Sequence, residues 1–360
     1  MTSLFEPIEV GNQTLANRVV MAPLTRNRAD SEGVPQDIAV EYYRQRAGVG
    51  LIVTEGTQPS AVGQGYLNTP GIHTEAQREG WRAVFDAVHA EGGHIVVQLM
   101  HAGRIAHNDN RAVTDIVAPS PIAAPGQMIT ATGPQDYPTP RALGIDEIPG
   151  VVAEFVHAAR TAVEAGADGV EIHGANGYLI HQFLAPSSND RTDSYGGTPA
   201  NRARFAIEVV TAVAGAIGAD RVGLRISPSH NIQGVIEDDE ADTTATYRAF
   251  VDAIRPLGLA YLSYLADPRA ALTRDLRTRF GGPVVANDGF GEVTTRESAQ
   301  ALLDEDLADL VAVGRPVLAN PDLVRRWRTG AELNEPNSDT FYGGGAEGYT
   351  DYPPLPAEAA

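Results

Sequence analysis

Short runs of apolar residues recur along the chain, and each run is followed by a glycine-, proline- or polar-rich stretch and then by apolar residues spaced three and four apart. The first pattern is typical of a buried strand and the second of an amphipathic helix, so their alternation predicts repeated βα units. The runs lie at residues 18–22, 50–55, 94–100, 169–173, 222–227, 260–265, 283–287 and 310–314. Eight such units predict an α/β fold of the (β/α)8 barrel type.

The segments between these runs predict helices at residues 75–91, 147–165, 199–217, 240–257, 294–304 and 320–329. Two of these helices have recognisable starts. Thr198 precedes Pro199, which is a favourable first residue of a helix. Thr294 is followed three residues later by Glu297, and this spacing predicts a capping box.

The sequence predicts a single domain over residues 1–360. No linker rich in serine and glycine interrupts the alternation of strands and helices. We expect a long functional loop at about 102–147, after the third strand, and a C-terminal loop or tail at about 331–360.

The charge excludes one class of partner and the cysteine count excludes several kinds of site. The chain has 27 Lys+Arg against 46 Asp+Glu, a formal net charge of −19, which disfavours nucleic acid as a partner. With no cysteine, it has no disulfide, thiolate metal site or cysteine nucleophile. It has no segment of signal-peptide type and no run of about 18 apolar residues, so we expect a soluble cytoplasmic protein without a membrane partner.

Several predicted strands end in polar residues or glycines. Active sites of such barrels lie at the carboxyl ends of the strands. An unpaired buried polar group costs about 1–3 kcal/mol, so polar side chains placed there predict a polar ligand. The residues concerned are Thr25, Gln98, His173, Arg225, Asn287, Gly289, Gly314 and Arg315.

The glycines after the seventh and eighth strands predict a phosphate site. Barrels often bind phosphate with the backbone amides of these two loops, and Arg315 would neutralise the charge. Ordinary turns also use glycine after a strand, and this is the alternative interpretation.

The stretch after the fourth strand presents His173, Asn176 and Tyr178 within six residues. A histidine and an asparagine can both donate hydrogen bonds to one carbonyl or nitro oxygen. A tyrosine, with an ordinary pKa near 10, stays protonated at pH 7 and can act as a general acid. The three residues together predict an acid-catalysed step on a polarised substrate.

These residues lie in motifs that resemble the old yellow enzymes, the FMN-dependent ene-reductases, and especially their bacterial N-ethylmaleimide and pentaerythritol tetranitrate reductases. The likeness spans nearly the whole chain. It is carried by MAPLTRNR at Met21, TEGTQ at Thr54, GRIAH at Gly103, HGANGYLIHQF at His173, SSNDRTDSYGG at Ser187, VGRPVLANPDL at Val313 and FYGGGAEGYTDYP at Phe341.

The resemblance implies a role for each matching position. His173 and Asn176 would bind the substrate, and Tyr178 would donate the proton. The residues implied for noncovalent FMN are Pro23, Leu24, Thr25, Gly56, Gln98, Arg225, Asn287, Gly289, Gly314 and Arg315. Those expected in the substrate pocket are Tyr66, Met100, Ile105 and Tyr349. At Met100 the chain departs from the family, which usually has tryptophan there, so we expect a wider pocket.

The expected activity is reduction of electron-poor alkenes by an NADPH-dependent FMN ene-reductase, with NADH as the other possible hydride donor. Nitro compounds or nitrate esters are possible further substrates. Arg104 and Arg141 are candidates to bind the 2′-phosphate of NADPH. The protein is expected to be a monomer or a homodimer.

Two other functions fit parts of the sequence. A barrel lyase or aldolase could use the phosphate site, but it needs a Schiff-base lysine or a metal, and the strand ends offer neither. An FMN-storage protein would explain the flavin residues but not the donors at positions 173, 176 and 178. No metal is expected, because His94, His101 and His107 lack partners at ligand spacing.

Overall fold

The strands form a closed barrel and three small two-stranded sheets. The computed structural model describes residues 2–287, 289 and 291–356. In chain order the strands are β1 (Ile8–Val10), β2 (Gln13–Leu15), β3 (Val19–Met21), β4 (Leu51–Val53), β5 (Ile95–Leu99), β6 (Val117–Ala118), β7 (Gln127–Thr130), β8 (Gly133–Asp136), β9 (Arg141–Ala142), β10 (Gly169–Gly174), β11 (Val222–Ile226), β12 (Tyr261–Leu265), β13 (Val284–Asn287) and β14 (Leu310–Val313). The barrel consists of β3, β4, β5 and β10–β14, all parallel, and β14 pairs back to β3. The predicted (β/α)8 barrel is confirmed.

Helices follow the barrel strands on the outside. In chain order they are α1 (Asp37–Arg44), α2 (Glu75–Ala90), α3 (Ile148–Ala165), α4 (Leu179–Leu184), α5 (Pro199–Ile217), α6 (Glu240–Ile254), α7 (Ala271–Phe280), α8 (Arg296–Asp304), α9 (Arg315–Ala319) and α10 (Leu323–Thr329). Helices α1 and α7, which complete the alternation, were not among the helices predicted from the sequence. Both are short, and each has only three buried side chains.

Of the two helix starts predicted from the sequence, one differs in the structure and one agrees. The capping box of α8 is formed by Thr295 and Ser298, whose side chains each accept the other's backbone N–H, at 3.1 and 2.9 Å. Thr294 is instead buried, and so the predicted pair with Glu297 was wrong. At its start, α5 has the predicted cap, since the Thr198 hydroxyl accepts the N–H of Asn201.

Apolar side chains fill the amino-terminal half of the barrel and leave polar ones for the other end. The inner cluster is made of Val10, Leu15, Val20, Ala22, Leu51, Val53, Val96, Ala260, Tyr261, Val285, Leu310 and Ala312. The hairpin β1–β2 belongs to this cluster and covers the amino-terminal end. Among the described residues, the end of the barrel that is open to a ligand is therefore the one at the carboxyl ends of the strands.

The loop at 102–147 contains two small sheets. β6 pairs with β9, and β7 with β8 forms an antiparallel hairpin. Asn110 holds this hairpin, because its side-chain amide donates to the carbonyls of Ile129 at 3.0 Å and Gly65 at 3.3 Å. Among the described helices, none has the length and apolar character needed to cross a membrane.

Candidate active site

A cavity of about 590 Å³ opens at the carboxyl ends of the barrel strands. This is the size of a small-molecule or cofactor site. Twelve of the residues predicted from the sequence line it: Pro23, Leu24, Thr25, Gly56, Tyr66, Gln98, Met100, His173, Asn176, Tyr178, Arg225 and Arg315. The barrel thus brings most of the predicted site together.

The floor of the cavity is a network of side chains from neighbouring strands. Glu171 on β10 lies opposite Gln98 on β5, and its carboxylate accepts the Gln98 amide at 2.8 Å. The Tyr261 hydroxyl donates to the same carboxylate at 3.0 Å. A side chain at Gly223 would collide with the Tyr261 ring, so the glycine makes room for this tyrosine.

Arg225 is the cation of this floor. It lies opposite His173 in the pairing of β11 with β10, and it is buried. Burial lowers the pKa of its guanidinium, while the charge of Glu171 raises it. Its Nε has no hydrogen-bond partner among the described residues. A buried N–H donor at the base of a cavity fits a ligand with an acceptor or a negative charge there.

The turn after β10 carries the three predicted catalytic residues. Asn176 has a left-handed backbone (φ 58°), its N–H donates to the Ser227 hydroxyl at 2.9 Å and its carbonyl accepts the Gln233 amide at 2.7 Å. His181 is fully buried, and its ring accepts the N–H of Gly177 at 2.9 Å. These bonds hold the turn in one conformation.

The protonation states in this turn suit hydrogen-bond donation. Burial, with the nearby charge of Arg225, lowers the pKa of His173 well below its ordinary value, so the imidazole is neutral at pH 7. Burial raises the pKa of Tyr178. The Tyr178 and Tyr66 hydroxyls are 2.9 Å apart and share a hydrogen bond. Tyr178 therefore keeps its proton and has a polar neighbour.

The predicted phosphate loops lie side by side, because β13 and β14 are neighbours. Asn287 organises the first loop: its side chain donates to the Ala312 carbonyl at 3.1 Å and accepts the Gly289 N–H at 3.1 Å. Gly314 precedes α9 and Arg315 begins it. Of these four residues only Arg315 lines the main cavity, whereas Gly289 lines a second one of about 340 Å³. Residues 288 and 290 of the first loop lie outside the described residues.

The cavity fits FMN by its chemistry. A flavin ring is flat, with apolar faces and carbonyl acceptors along one edge. Pro23 and Leu24 supply an apolar wall, and Arg225 supplies an unpaired buried donor. A Cβ at Gly56 would lie 2.6 Å from the Met100 sulfur, so this position has no room for a side chain. Arg315 lines the cavity next to Gly314 of the predicted phosphate loops.

The rim of the cavity was not predicted from the sequence. It is formed by the β7–β8 hairpin, with Gln127, Met128 and Ile129, and by residues 341–343, the start of a segment at 341–349 that we call the strap. No pattern marks the hairpin, which has only Gly133 as a turn signal. The Gly-rich sequence of the strap indicated only a loop.

Buried arginines attach the strap to the barrel. Arg26 donates to the carbonyls of Phe341 at 2.9 Å and Gly348 at 3.0 Å. Arg28 donates to Gly345 at 3.1 Å and Arg46 to Tyr349 at 3.2 Å. The strap thus rests on guanidinium-to-backbone bonds.

Two predicted pocket residues lie elsewhere. Tyr349 is fully buried with its ring stacked on Tyr42 at 4.0 Å, where it anchors the strap. Ile105 is also fully buried, packed behind Met100 and Tyr178. Neither lines the cavity, because both side chains are used in packing. Arg104 and Arg141 do not line it either. The described residues contain no cluster of three or more His, Asp or Glu that could hold a metal.

Comparison with known proteins agrees with this geometry. The profile of the NADH:flavin oxidoreductase / NADH oxidase family matches residues 3–334. A probable flavin mononucleotide-dependent alkene reductase of Leishmania infantum is 41% identical, over 97% of either chain. Morphinone reductase in complex with tetrahydroNAD superposes with a TM-score of 0.93 at 44% identity, covering 99% of this chain and 98% of that one. The old yellow enzyme homologue from Zymomonas mobilis has a TM-score of 0.93 at 40% identity, covering 98% and 99%.

These findings confirm the resemblance drawn from the motifs. The family match spans most of the chain, and both solved structures cover it almost completely. The chain belongs to the NADH:flavin oxidoreductase / NADH oxidase family and is an FMN-dependent oxidoreductase.

Proposed function

We propose that this protein reduces the activated C=C bond of α,β-unsaturated carbonyl or nitro compounds with a reduced nicotinamide coenzyme. The observation that carries the proposal is the placement of two neutral donors and one phenol, His173, Asn176 and Tyr178, in one cavity over a buried arginine. The alkene reductase from Leishmania and the morphinone reductase complex support the same reaction class.

When bound, FMN would supply the redox chemistry, which is hydride transfer between the coenzyme and the β-carbon of the alkene. Arg225, with its unpaired Nε, would face the pyrimidine edge and stabilise negative charge there. Gln98 would hold the same edge, and Thr25 would contact the ring. Arg315 and the glycine loops would hold the phosphate.

The chain's own residues activate and protonate the substrate. The His173 and Asn176 side chains donate hydrogen bonds to the carbonyl or nitro oxygen, which draws electron density away from the β-carbon. Tyr178 then gives its hydroxyl proton to the α-carbon. Tyr66, whose hydroxyl is 2.9 Å from that of Tyr178, would return a proton to it. Proton and hydride arrive from opposite faces of the alkene.

The composition and the donor set also argue against the two competing functions. All 27 basic residues of the chain are arginines, so a Schiff-base lyase mechanism has no lysine to use. An FMN-storage protein would not need a phenol beside two donors. Nitro groups fit the same donors, and we include nitro compounds and nitrate esters as secondary substrates.

The test is made on the purified holoprotein. We expect a yellow protein that releases one FMN per chain on denaturation and that oxidises NADH or NADPH in the presence of cyclohexenone, forming cyclohexanone. A colourless protein would overturn the assignment. A yellow protein without turnover would favour storage.

A further inference from the structure

A cavity of about 590 Å³ that also holds FMN has no room for a whole dinucleotide coenzyme. Its nicotinamide ring must enter the cavity to reach the flavin, and its adenosine half must then remain at or beyond the rim. NADPH differs from NADH only there, by a 2′-phosphate in place of a hydroxyl. The charges of the rim therefore decide which coenzyme binds.

The cations available to a 2′-phosphate can be counted completely. The chain has no lysine, and all of its arginines lie within the described residues. Three of them line the cavity: Arg26, Arg225 and Arg315. Arg26 is bonded to the strap, Arg225 lies in the floor, and Arg315 lies at the phosphate end with a bond to the Glu292 carbonyl at 3.0 Å. None of the three belongs to the hairpin or to the strap.

The arginines of the long loop are engaged in its own structure. Arg104 is 1% exposed and donates to the carbonyls of Ile122 and Gly234, at 3.1 and 2.9 Å. Arg141 is paired with two carboxylates, those of Asp115 at 2.8 Å and Glu147 at 2.7 Å. Both arginines that were candidates to bind a 2′-phosphate are therefore already bonded to other groups of the protein.

Arg111, the remaining arginine of this loop, makes its bonds to main-chain carbonyls. It donates to Val113 at 2.9 Å, to Val62 at 2.9 Å and to Gln64 at 3.0 Å. A fourth bond reaches the carbonyl of Asp115. Turning this guanidinium toward the rim would break the bonds that shape the loop.

Carboxylates, in contrast, flank the hairpin. Asp136 on β8 is exposed and accepts the side-chain amide of Gln127, a rim residue, at 2.8 Å. Asp109 is exposed beside the hairpin turn and accepts the Thr132 hydroxyl at 3.3 Å. His107 lies 3.7 Å from Asp109 and faces this carboxylate. The hairpin itself has no basic residue.

We propose that this rim selects NADH over NADPH, with Asp136 and Asp109 disfavouring the 2′-phosphate and no arginine on the hairpin to bind it. The ribose hydroxyls of NADH can instead donate to these carboxylates. This inference rests on the proposed function, because it assigns the hydride donor of the same site. It chooses between NADPH and NADH, which the sequence left open as hydride donors.

The test measures kcat/KM for NADH and for NADPH in anaerobic flavin reduction by the holoenzyme. We expect NADH to be favoured at least tenfold, and the ratio to shrink at high salt as the repulsion is screened. Ile129→Arg adds a cation at a rim side chain that is 65% exposed, and it should raise the ratio of kcat/KM for NADPH to kcat/KM for NADH about tenfold. Ile145→Arg, at a position that is 52% exposed and outside the cavity lining, is the matched control.

The outcomes separate the two claims. Flavin reduction by neither coenzyme overturns the proposed function and this inference with it. Equal use of both, or a preference for NADPH, leaves the function standing and overturns the inference. The same change of ratio in Ile129→Arg and Ile145→Arg would also overturn it, because the effect would then come from overall charge.

Discussion

The floor of the cavity and its rim differ in what holds them. In the floor, side chains from paired strands bond to each other, as Gln98 does to Glu171. At the rim, the strap is held by guanidinium groups bonded to main-chain carbonyls, and Arg26 reaches Phe341 across 315 residues of sequence. The floor is held by bonds between side chains, whose residue types can be read from the sequence. The strap at the rim is held through backbone carbonyls, which every residue type has, so the sequence does not mark them.

This difference suggests a division of labour. The floor is fixed by strand register, and we propose that it serves the cofactor and the reacting bond. The rim consists of a hairpin and a strap outside the barrel, and we propose that it decides which molecules enter. Changes in the floor should therefore alter the chemical step, and changes in the rim should alter stability and selectivity.

The largest effect is expected at the turn above the floor. Tyr178→Phe should slow alkene reduction by about 10²–10⁴, the usual loss for a positioned general acid, and leave flavin reduction by the coenzyme nearly unchanged. Stopped-flow measurement of the two half-reactions checks this. Tyr195→Phe is the control, since its hydroxyl donates to Glu208, outside the cavity lining. An equal loss in both half-reactions would show that Tyr178 is structural.

The next effect concerns the attachment of the rim. Arg26→Ala removes the donor to the Phe341 and Gly348 carbonyls and the cation over the Tyr349 ring. We expect the free energy of unfolding to fall by about 2–4 kcal/mol, with faster proteolysis of the strap. Arg204→Ala, which removes an exposed arginine, should cost much less. Equal losses in the two variants would contradict the assigned anchor.

A smaller effect is expected where floor and rim meet, at Met100. The Met100 side chain lines the cavity against Gly56, and methionine adapts its shape more readily than tryptophan. Met100→Trp should lower kcat/KM for alkenes with bulky substituents by about 1–3 kcal/mol and change cyclohexenone little. If the melting temperature falls while the ratio of bulky to small substrates stays constant, Met100 only fills space.

The smallest effect is a pH dependence at Glu55, which accepts the backbone N–H groups of Arg26 and Asn27. Burial raises its pKa from 4.5 to about 7. A carboxyl with a raised folded-state pKa stabilises the fold below its unfolded pKa and loses that contribution as the pH rises through 7. Between pH 5 and 8 the wild type should therefore lose about 1–3 kcal/mol relative to Glu55→Gln. The prediction would be contradicted if the free energy of unfolding of the wild type, relative to that of Glu55→Gln, stayed constant or rose between pH 5 and 8.

Much of the floor could be predicted, because it depends on local pattern. All eight barrel strands were found from apolar runs, and Gln98, His173 and Arg225 were noticed as polar residues in those runs. Glu171 carried the same signal and was not given a role. Tyr261 was missed, since a tyrosine in a strand is ordinary.

The rim could not be predicted in the same way. Tyr349 was placed in the pocket by motif likeness, yet its ring packs on Tyr42. Ile105 was placed there as well and is buried behind the wall. Arg104 was a candidate to bind the 2′-phosphate of NADPH, but it is buried and bonded to backbone carbonyls. Each outcome depends on contacts between distant segments, which no local pattern reports.

The central claim is that a hydride reaches the β-carbon from the cavity floor while Tyr178 protonates the α-carbon from the other face. The most direct test is reduction of 2-methylcyclohexenone with coenzyme deuterated at the transferred position, and separately with unlabelled coenzyme in D₂O. We predict the coenzyme label at the β-carbon, the solvent label at the α-carbon, and addition to opposite faces. Solvent deuterium at the β-carbon, or addition of both atoms to one face, would contradict the account.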